Sequence, residues 1–82
     1  MPERDEREKL WGALIPKAAP TSGELRLPKL AEQFEMSGGY IRNAVLRAAF
    51  LAAAERATIT AGHLMKAAHL EYEAMGKITS HV

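Results

Sequence analysis

A long alanine-rich stretch, opened by two adjacent glycines, limits the possible fold more than any other feature of this chain. On a helix over residues 38–56, one face carries Ile41, Ala44, Val45, Ala48, Ala49 and Ala52, and another carries Leu46, Phe50, Ala53 and Ala57. A helix that is apolar on two faces needs neighbours on both, so we expect it at the centre of an all-helical domain. Repeated alanines let neighbouring helices approach closely. The polar strip of this helix carries Arg42, Asn43 and Arg47.

Two helices are predicted before this central one. The first covers residues 3–15 and ends at Pro16; its buried stripe carries Leu10, Trp11, Leu14 and Ile15. Residues 17–24 have the composition of a short connecting loop. An extended turn over residues 25–27 then leads into a short helix over residues 28–34, opened by Pro28; its buried side carries Leu27, Leu30, Ala31 and Phe34.

Ser37 is the expected N-cap of the central helix. One more helix is predicted after it. The last helix covers residues 61–75, with Thr60 as its N-cap and Gly76 as its terminator. Residues 78–82 are expected to fray. The sequence thus predicts a small all-α domain that resembles a four-helix bundle. A minimal two-strand contact between loops is compatible with this fold.

Composition and charge exclude several classes of function. A chain of 82 residues is one small domain, and such domains bury only about 60% of the surface of the unfolded chain, so an enclosed active site is not expected. Without cysteine there is neither a disulfide nor a thiolate metal site. The net charge of +1 gives no basic field for nucleic acid. The longest uncharged stretch of the central helix, residues 48–54, is far shorter than the roughly 20 residues of a membrane span, and residues 1–9 are too acidic for a targeting peptide. We therefore expect a cytoplasmic protein.

The start of the central helix is the candidate binding site. The first turn of a helix presents unpaired backbone N–H groups at the positive end of its dipole, and glycines there let a ligand approach the backbone closely. Gly38 and Gly39 are therefore candidate nucleotide contacts, and Arg42 adds a fixed charge about one turn later. Alternatively, the glycines only break the chain between two helices, and Arg42 is an ordinary surface charge.

Other polar residues do not suggest catalysis or a metal site. His63 and His69 point in different directions on one helix, and His81 lies in the tail, so no metal site is specified. His69 and Glu73 are expected to form a solvated pair. The acidic residues of 3–8, together with Glu71 and Glu73, are interpreted as solvated helix faces rather than a general acid and base. Trp11 is expected in the core, with packing against another domain as the alternative.

The order of these elements resembles the C-terminal lid of AAA+ ATPases over nearly the whole chain. The residues that carry the resemblance are Arg7 to Trp11, Leu14 to Pro16, Leu30, Ala31, Phe34, Ser37 to Asn43, Ala48 to Ala53, Ile59, Thr60, His63, Ala67, Glu71 and Tyr72. Ser37, Gly38 and Gly39 look like the Ser-Gly-Ala that opens the equivalent helix in many AAA proteins. Tyr40 stands where those proteins usually carry an acid.

The resemblance implies a function as a lid that closes over ATP. The ATP and its Mg would be bound by an upstream P-loop domain, and Gly38 and Gly39 would contact the nucleotide through their backbone. Arg42 would be the sensor-two arginine that reaches the terminal phosphate. The lid would couple ATP hydrolysis to conformational change and to assembly with neighbouring subunits of a homo-oligomeric ring.

Residues 1–82 are then a single lid subdomain and not an enzyme alone. The chain has no Gly-x-x-x-x-Gly-Lys-Ser/Thr loop and no apolar strand ending in acids for magnesium. No catalytic residue is assigned, and we expect no ATPase activity and weak nucleotide affinity from the isolated chain. One alternative is a freestanding helical interaction module that buries Leu51 or Trp11 against another protein. Another is a small DNA-binding domain that uses Arg42 and Arg47, which the balanced charge opposes.

Overall fold

The computed structural model describes residues 2–76, which fold into four helices. These are α1 (Arg4–Leu14), α2 (Leu27–Gln33), α3 (Gly38–Ala54) and α4 (Ala61–Ala74). In this part of the chain the extended structure is limited to one isolated parallel bridge between Thr21 and Ile59, a contact between two loops. The predicted small all-α fold is confirmed. The expected fraying of residues 78–82 lies outside the described residues.

The core forms where α3 packs against α4 and α1, and where α1 packs against α2. Its largest fully buried side chains are Trp11, Leu30, Phe34, Met36, Ile41, Val45 and Leu64. Small residues on the facing helices, Ala44, Ala48, Ala67 and Ala68, are also buried, which lets α3 and α4 lie close together. The expectation that Trp11 belongs to the core is confirmed, although its indole N–H has no hydrogen-bond partner among the described residues.

The four helices begin and end within two residues of their predicted bounds. At the start of α1, the Glu6 carboxylate accepts a hydrogen bond from the backbone N–H of the N-cap residue Glu3 at 3.1 Å. At the start of α4, the Thr60 hydroxyl accepts a hydrogen bond from the His63 N–H, as expected of an N-cap. Gly76 follows α4 with a φ of 85°, in the left-handed region that glycine adopts without strain.

One local prediction is wrong. Arg26 does not lie in an extended turn: its φ of 58° and ψ of 45° are left-handed, and its carbonyl accepts the first hydrogen bonds of α2. α3 ends at Ala54, two residues before the predicted end, and Arg56 also adopts a left-handed conformation, with a φ of 55°. Both connections turn more sharply than the sequence pattern suggests.

The expectation of two buried faces on α3 is also wrong. Ile41, Ala44, Val45, Ala48 and Ala52 are buried, as predicted for the first face. On the second face Leu46 is 46% exposed and Phe50 is 75% exposed, because no other helix of the described residues covers them. α3 is therefore the helix on which the core is built, but one of its apolar faces is open.

No helix in the described part of the chain combines the length and the apolar character needed to cross a membrane.

Candidate functional site

The N-terminus of α3 is open to solvent and has unpaired backbone donors. Ser37 is its N-cap, as predicted, but the Ser37 side chain makes no capping hydrogen bond. The Ser37 carbonyl accepts the first hydrogen bond of the helix, from the Ile41 N–H at 3.0 Å. Within the described residues no group accepts a hydrogen bond from the N–H of Gly38 or Gly39. These N–H groups, at the positive end of the helix dipole, are available to an anion.

The packing of this domain does not require the two glycines. Neither has a positive φ. A Cβ atom on Gly38 would lie 3.7 Å from Leu10 Cδ1, and one on Gly39 would lie 3.9 Å from Ser37 Oγ, both ordinary contacts. Alanine would therefore fit at both positions, and glycine disfavours a helix by about 1 kcal/mol relative to alanine. The interpretation of these glycines as a break required by the fold gains no support from the structure.

The two arginines on the polar strip of α3 have different surroundings. Arg42 is exposed near the start of the helix, and it makes no ion pair with any described residue. Arg47, one turn further on, donates a hydrogen bond from Nε to the Glu71 carboxylate of α4 and forms an ion pair with it. Of these two arginines, only Arg42 has no acidic partner among the described residues. The basic strip proposed for DNA binding is weaker than the sequence suggests.

The N-terminal tip of α3, formed by Gly38 and Gly39, adjoins a groove on the outer side of α1. This groove, which we call the α1 groove, has a volume of about 370 Å³ and is lined by Pro2, Glu6, Lys9, Leu10 and Ala13. Leu10 connects the two features, because it lines the groove and its Cδ1 would lie 3.7 Å from a Cβ atom on Gly38. Two larger grooves, of about 630 Å³ and about 580 Å³, are lined by other residues. The tip is therefore an open surface and not a pocket that encloses a ligand. A ligand that is bound mainly by another domain can reach it.

The described residues contain no group of three or more acidic or histidine side chains placed to hold a metal ion. His63 instead has a structural role: its Nδ1 accepts a hydrogen bond from the Thr60 N–H at 3.0 Å, and its Nε2 lies 2.8 Å from a Glu55 carboxylate oxygen. His63 thus joins the end of α3 to the start of α4. The predicted exposed pair of His69 and Glu73 is present, at 3.3 Å.

Two buried charged residues were not found from the sequence. Glu71, interpreted as part of a solvated face, is only 6% exposed and is paired with Arg47. Arg7 is also 6% exposed, and its guanidinium donates hydrogen bonds to the carbonyls of Ala31 at 2.8 Å and Pro2 at 2.9 Å. Helical spacing was a usable signal for both: Glu71 lies three, four and seven residues after Ala68, Ala67 and Leu64, and Arg7 lies the same distances before Leu10, Trp11 and Leu14.

Comparison with known protein families shows a match to the family described as the contractile injection system ATPase helical domain, over residues 3–73. The matched region runs from the N-cap of α1 to the last turn of α4. No curated protein and no solved structure matches the chain. The match supports a helical module of an ATPase-related protein, which is coarser than the lid function implied by the sequence resemblance.

Proposed function

Since the chain belongs to the family of contractile injection system ATPase helical domains, we propose that it is the C-terminal lid of an AAA+ ATPase. In this proposal a separate P-loop domain of the parent protein binds ATP with Mg, and the helical domain closes over the nucleotide. The parent protein is then an ATP hydrolase of the cytoplasm, while this chain alone has no ATPase activity. The single observation that carries the proposal is the open tip of α3, with a glycine pair that the domain's own packing does not require.

Each group at the tip has a defined task in this proposal. The N–H groups of Gly38 and Gly39 donate hydrogen bonds to oxygens of the nucleotide, which can come close because no side chain intervenes. Arg42 contributes a guanidinium, which pairs well with phosphate oxygens and stabilises the charge that develops during phosphoryl transfer. When the terminal phosphate is lost, this contact is lost with it, and the lid is free to rotate. Hydrolysis is thereby coupled to a movement of the helical domain.

The proposal includes two protein partners. The first is the P-loop domain of the same protein, which faces the tip of α3 and the α1 groove. The second is a neighbouring subunit of a homo-oligomeric ring, which contacts the helical domain on another side. No role in nucleic-acid binding is proposed, because the net charge is only +1 and Arg47 is paired with Glu71.

ATP hydrolysis by the parent protein tests the role of Arg42. We expect Arg42→Ala to lower kcat at saturating ATP by at least about tenfold, since an arginine that contacts the transferred phosphate typically contributes more than this. Arg42→Lys should restore only part of the loss, because lysine cannot form the two-pronged contact. Lys66→Ala, which removes an exposed charge from α4, is the matched control and should leave kcat unchanged. An unchanged kcat in Arg42→Ala would refute the sensor role.

Substitution of the glycines tests close approach of the nucleotide. Gly39 is exposed, and a side chain there meets only open space and Ser37. Gly39→Val should therefore leave the fold intact and raise the KM for ATP several-fold, while Gly39→Ala should raise it less. Titration of the isolated chain with Mg-ATP should shift the backbone amide signals of Gly38 and Gly39 in nuclear magnetic resonance spectra. If KM is unchanged and these signals do not move, the tip does not face the nucleotide.

A further inference from the structure

The open face of α3 forms one wall of the largest groove described above, which we call the α3–α4 groove. Its volume is about 630 Å³, and the described residues that line it belong to α3 and α4, among them Leu46, Arg47, Phe50, Leu51, Ala54 and Glu71. Leu46, Phe50 and Ala54 follow each other at intervals of four residues and therefore form a straight apolar row along the helix. Exposed apolar rows of this kind, rimmed by polar side chains, are typical of binding sites for another helix.

The exposed member of the ion pair in this groove is the arginine. Among the described residues, the ionisable side chains that line the groove are Arg47 and Glu71. The Glu71 side chain is only 8% exposed, whereas the Arg47 side chain is 46% exposed. Glu71 accepts a hydrogen bond from Nε of Arg47 and lies 2.9 Å from Nη2, so the pair orients the guanidinium, and Nη1 has no partner among the described residues. An arginine that is already ordered loses less entropy when it binds a carboxylate.

We propose that the α3–α4 groove binds an amphipathic helix of another protein, in which an Asp or Glu lies beside a row of apolar residues. The apolar row of the partner packs on Leu46 and Phe50, and its carboxylate accepts a hydrogen bond from Arg47. Aromatic and arginine side chains at the centre of an apolar site are the residues that contribute most to such interfaces. The groove does not include Gly38, Gly39 or α1, so this proposal does not depend on nucleotide binding at the tip.

A second copy of this chain fits the groove less well than an acidic helix does. In a symmetric dimer the same surface meets itself, so Arg47 would face a groove whose carboxylate is already buried and paired. The described lining of the groove offers no second acidic side chain to this arginine. The charge of the groove therefore favours a different chain as the occupant.

A pair of synthetic helices tests the proposal on the isolated chain. The probe is a peptide of about 15 residues of Leu, Ala and Glu, with Leu at helical spacing i, i+3, i+4 and i+7 and Glu beside the Leu row. The control peptide has Lys in place of every Glu. Titration of the Glu peptide into the isotope-labelled chain should shift the amide signals of residues 46–54 and 71–74, and the Lys peptide should bind at least about tenfold more weakly.

Variants of the chain show whether the groove residues are responsible. Phe50→Ala and Arg47→Ala should each weaken binding of the Glu peptide about tenfold, and Lys66→Ala, a charge on α4 outside the groove, should have no effect. Circular dichroism checks that Arg47→Ala remains folded, and Phe50→Ala tests the site without disturbing the Glu71 pair.

Three results would overturn the proposal. The first is equal binding of the two peptides, or shifts confined to another surface. The second is self-association of the chain that Phe50→Ala abolishes, which would make a second copy the occupant. The third is a difference between the amide signals of the groove residues in the full chain and in a chain truncated after Gly76. Such a difference would make the last residues of the full chain the occupant.

Discussion

Arg47 and Glu71 join the two longest helices: Nε of the guanidinium donates a hydrogen bond to one carboxylate oxygen at 3.0 Å, and Nη2 lies 2.9 Å from the same oxygen. The two residues are 24 positions apart in sequence, on α3 and α4. The carboxylate is almost fully buried, and a buried charge is tolerated only when it is paired. This contact therefore fixes how α3 and α4 lie against each other, and it also orders the arginine at the α3–α4 groove.

Removal of the arginine should destabilise the domain. We expect Arg47→Ala to lower the free energy of unfolding by about 1–2 kcal/mol, because Glu71 is left without its partner. The cost stays below that of a fully buried pair since Arg47 is half exposed and water can replace part of the contact. Denaturant unfolding followed by circular dichroism measures the change. A double-mutant cycle with Glu71→Ala should give a coupling energy of roughly 1 kcal/mol.

Arg4→Ala is the matched control, because its ion pairs with Asp5 and Glu8 are at the surface. It should change the free energy of unfolding by less than about 0.5 kcal/mol. A coupling energy near zero between Arg47 and Glu71 would show that the pair is a solvated contact without energetic weight.

Arg7 should be needed for the position of α2. Its guanidinium satisfies the carbonyls of Ala31 and Pro2, so it connects α1 to α2 and to the chain that leads into α1. Arg7→Met keeps most of the aliphatic stem and removes the donors, and we expect it to lower the free energy of unfolding by about 1–3 kcal/mol. Lys9→Met, on the exposed side of the same helix, controls for the loss of a charge. Equal stability of the two variants would mean that water replaces both hydrogen bonds of Arg7.

The fold was largely predictable because its signals are local. Pro16, Thr60 and Gly76 mark helix ends through their own backbone chemistry, and the spacing of Leu30, Ala31 and Phe34 marks a buried side. These predictions hold to within two residues. Predictions of this kind do not depend on which other segment packs against each helix.

The features that were missed depend on contacts between distant segments. The sequence shows that Leu46 and Phe50 are apolar, but not that the other helices leave that face uncovered. The pairing of Glu71 with Arg47 likewise depends on how α4 crosses α3. Of the candidate site, the open N-terminus of α3 agrees with the prediction from residues 37–43. The role of Gly38, Gly39 and Arg42 toward ATP remains a prediction, because the nucleotide would be bound by another domain.

The N-cap of α4 should contribute measurably to stability. The Thr60 hydroxyl accepts a hydrogen bond from the His63 N–H at 3.4 Å, which is long, and it also lies 3.1 Å from the His63 ring. Thr60→Ala should lower the free energy of unfolding by about 0.5–1 kcal/mol, at the lower end for such caps, and Thr60→Ser should restore most of it. Thr21→Ala, an exposed threonine in the bridge to Ile59, is the control. If Thr60→Ser lowers the free energy of unfolding as much as Thr60→Ala does, the effect comes from packing of the threonine methyl group.

Glycine in place of Arg56 should stabilise the domain. The N–H of Ala57 donates to the Ala52 carbonyl at 2.9 Å, and the N–H of Arg56 donates to the Ala53 carbonyl at 3.0 Å. Together these two hydrogen bonds form a Schellman motif, whose turning residue usually is glycine because a left-handed conformation costs other residues about 1–2 kcal/mol. Arg56 occupies that position with a φ of 55°, whereas the corresponding residue after α4 is Gly76.

We expect Arg56→Gly to raise the free energy of unfolding by about 0.5–1 kcal/mol, since the greater flexibility of glycine in the unfolded chain offsets part of the relief. Arg56→Ala removes the same charge but keeps the Cβ, so it should give no comparable gain. Thermal unfolding of the three proteins, followed by circular dichroism, measures the difference. If alanine stabilises the domain as much as glycine does, the gain comes from removal of the charge, and the left-handed turn at Arg56 is not strained.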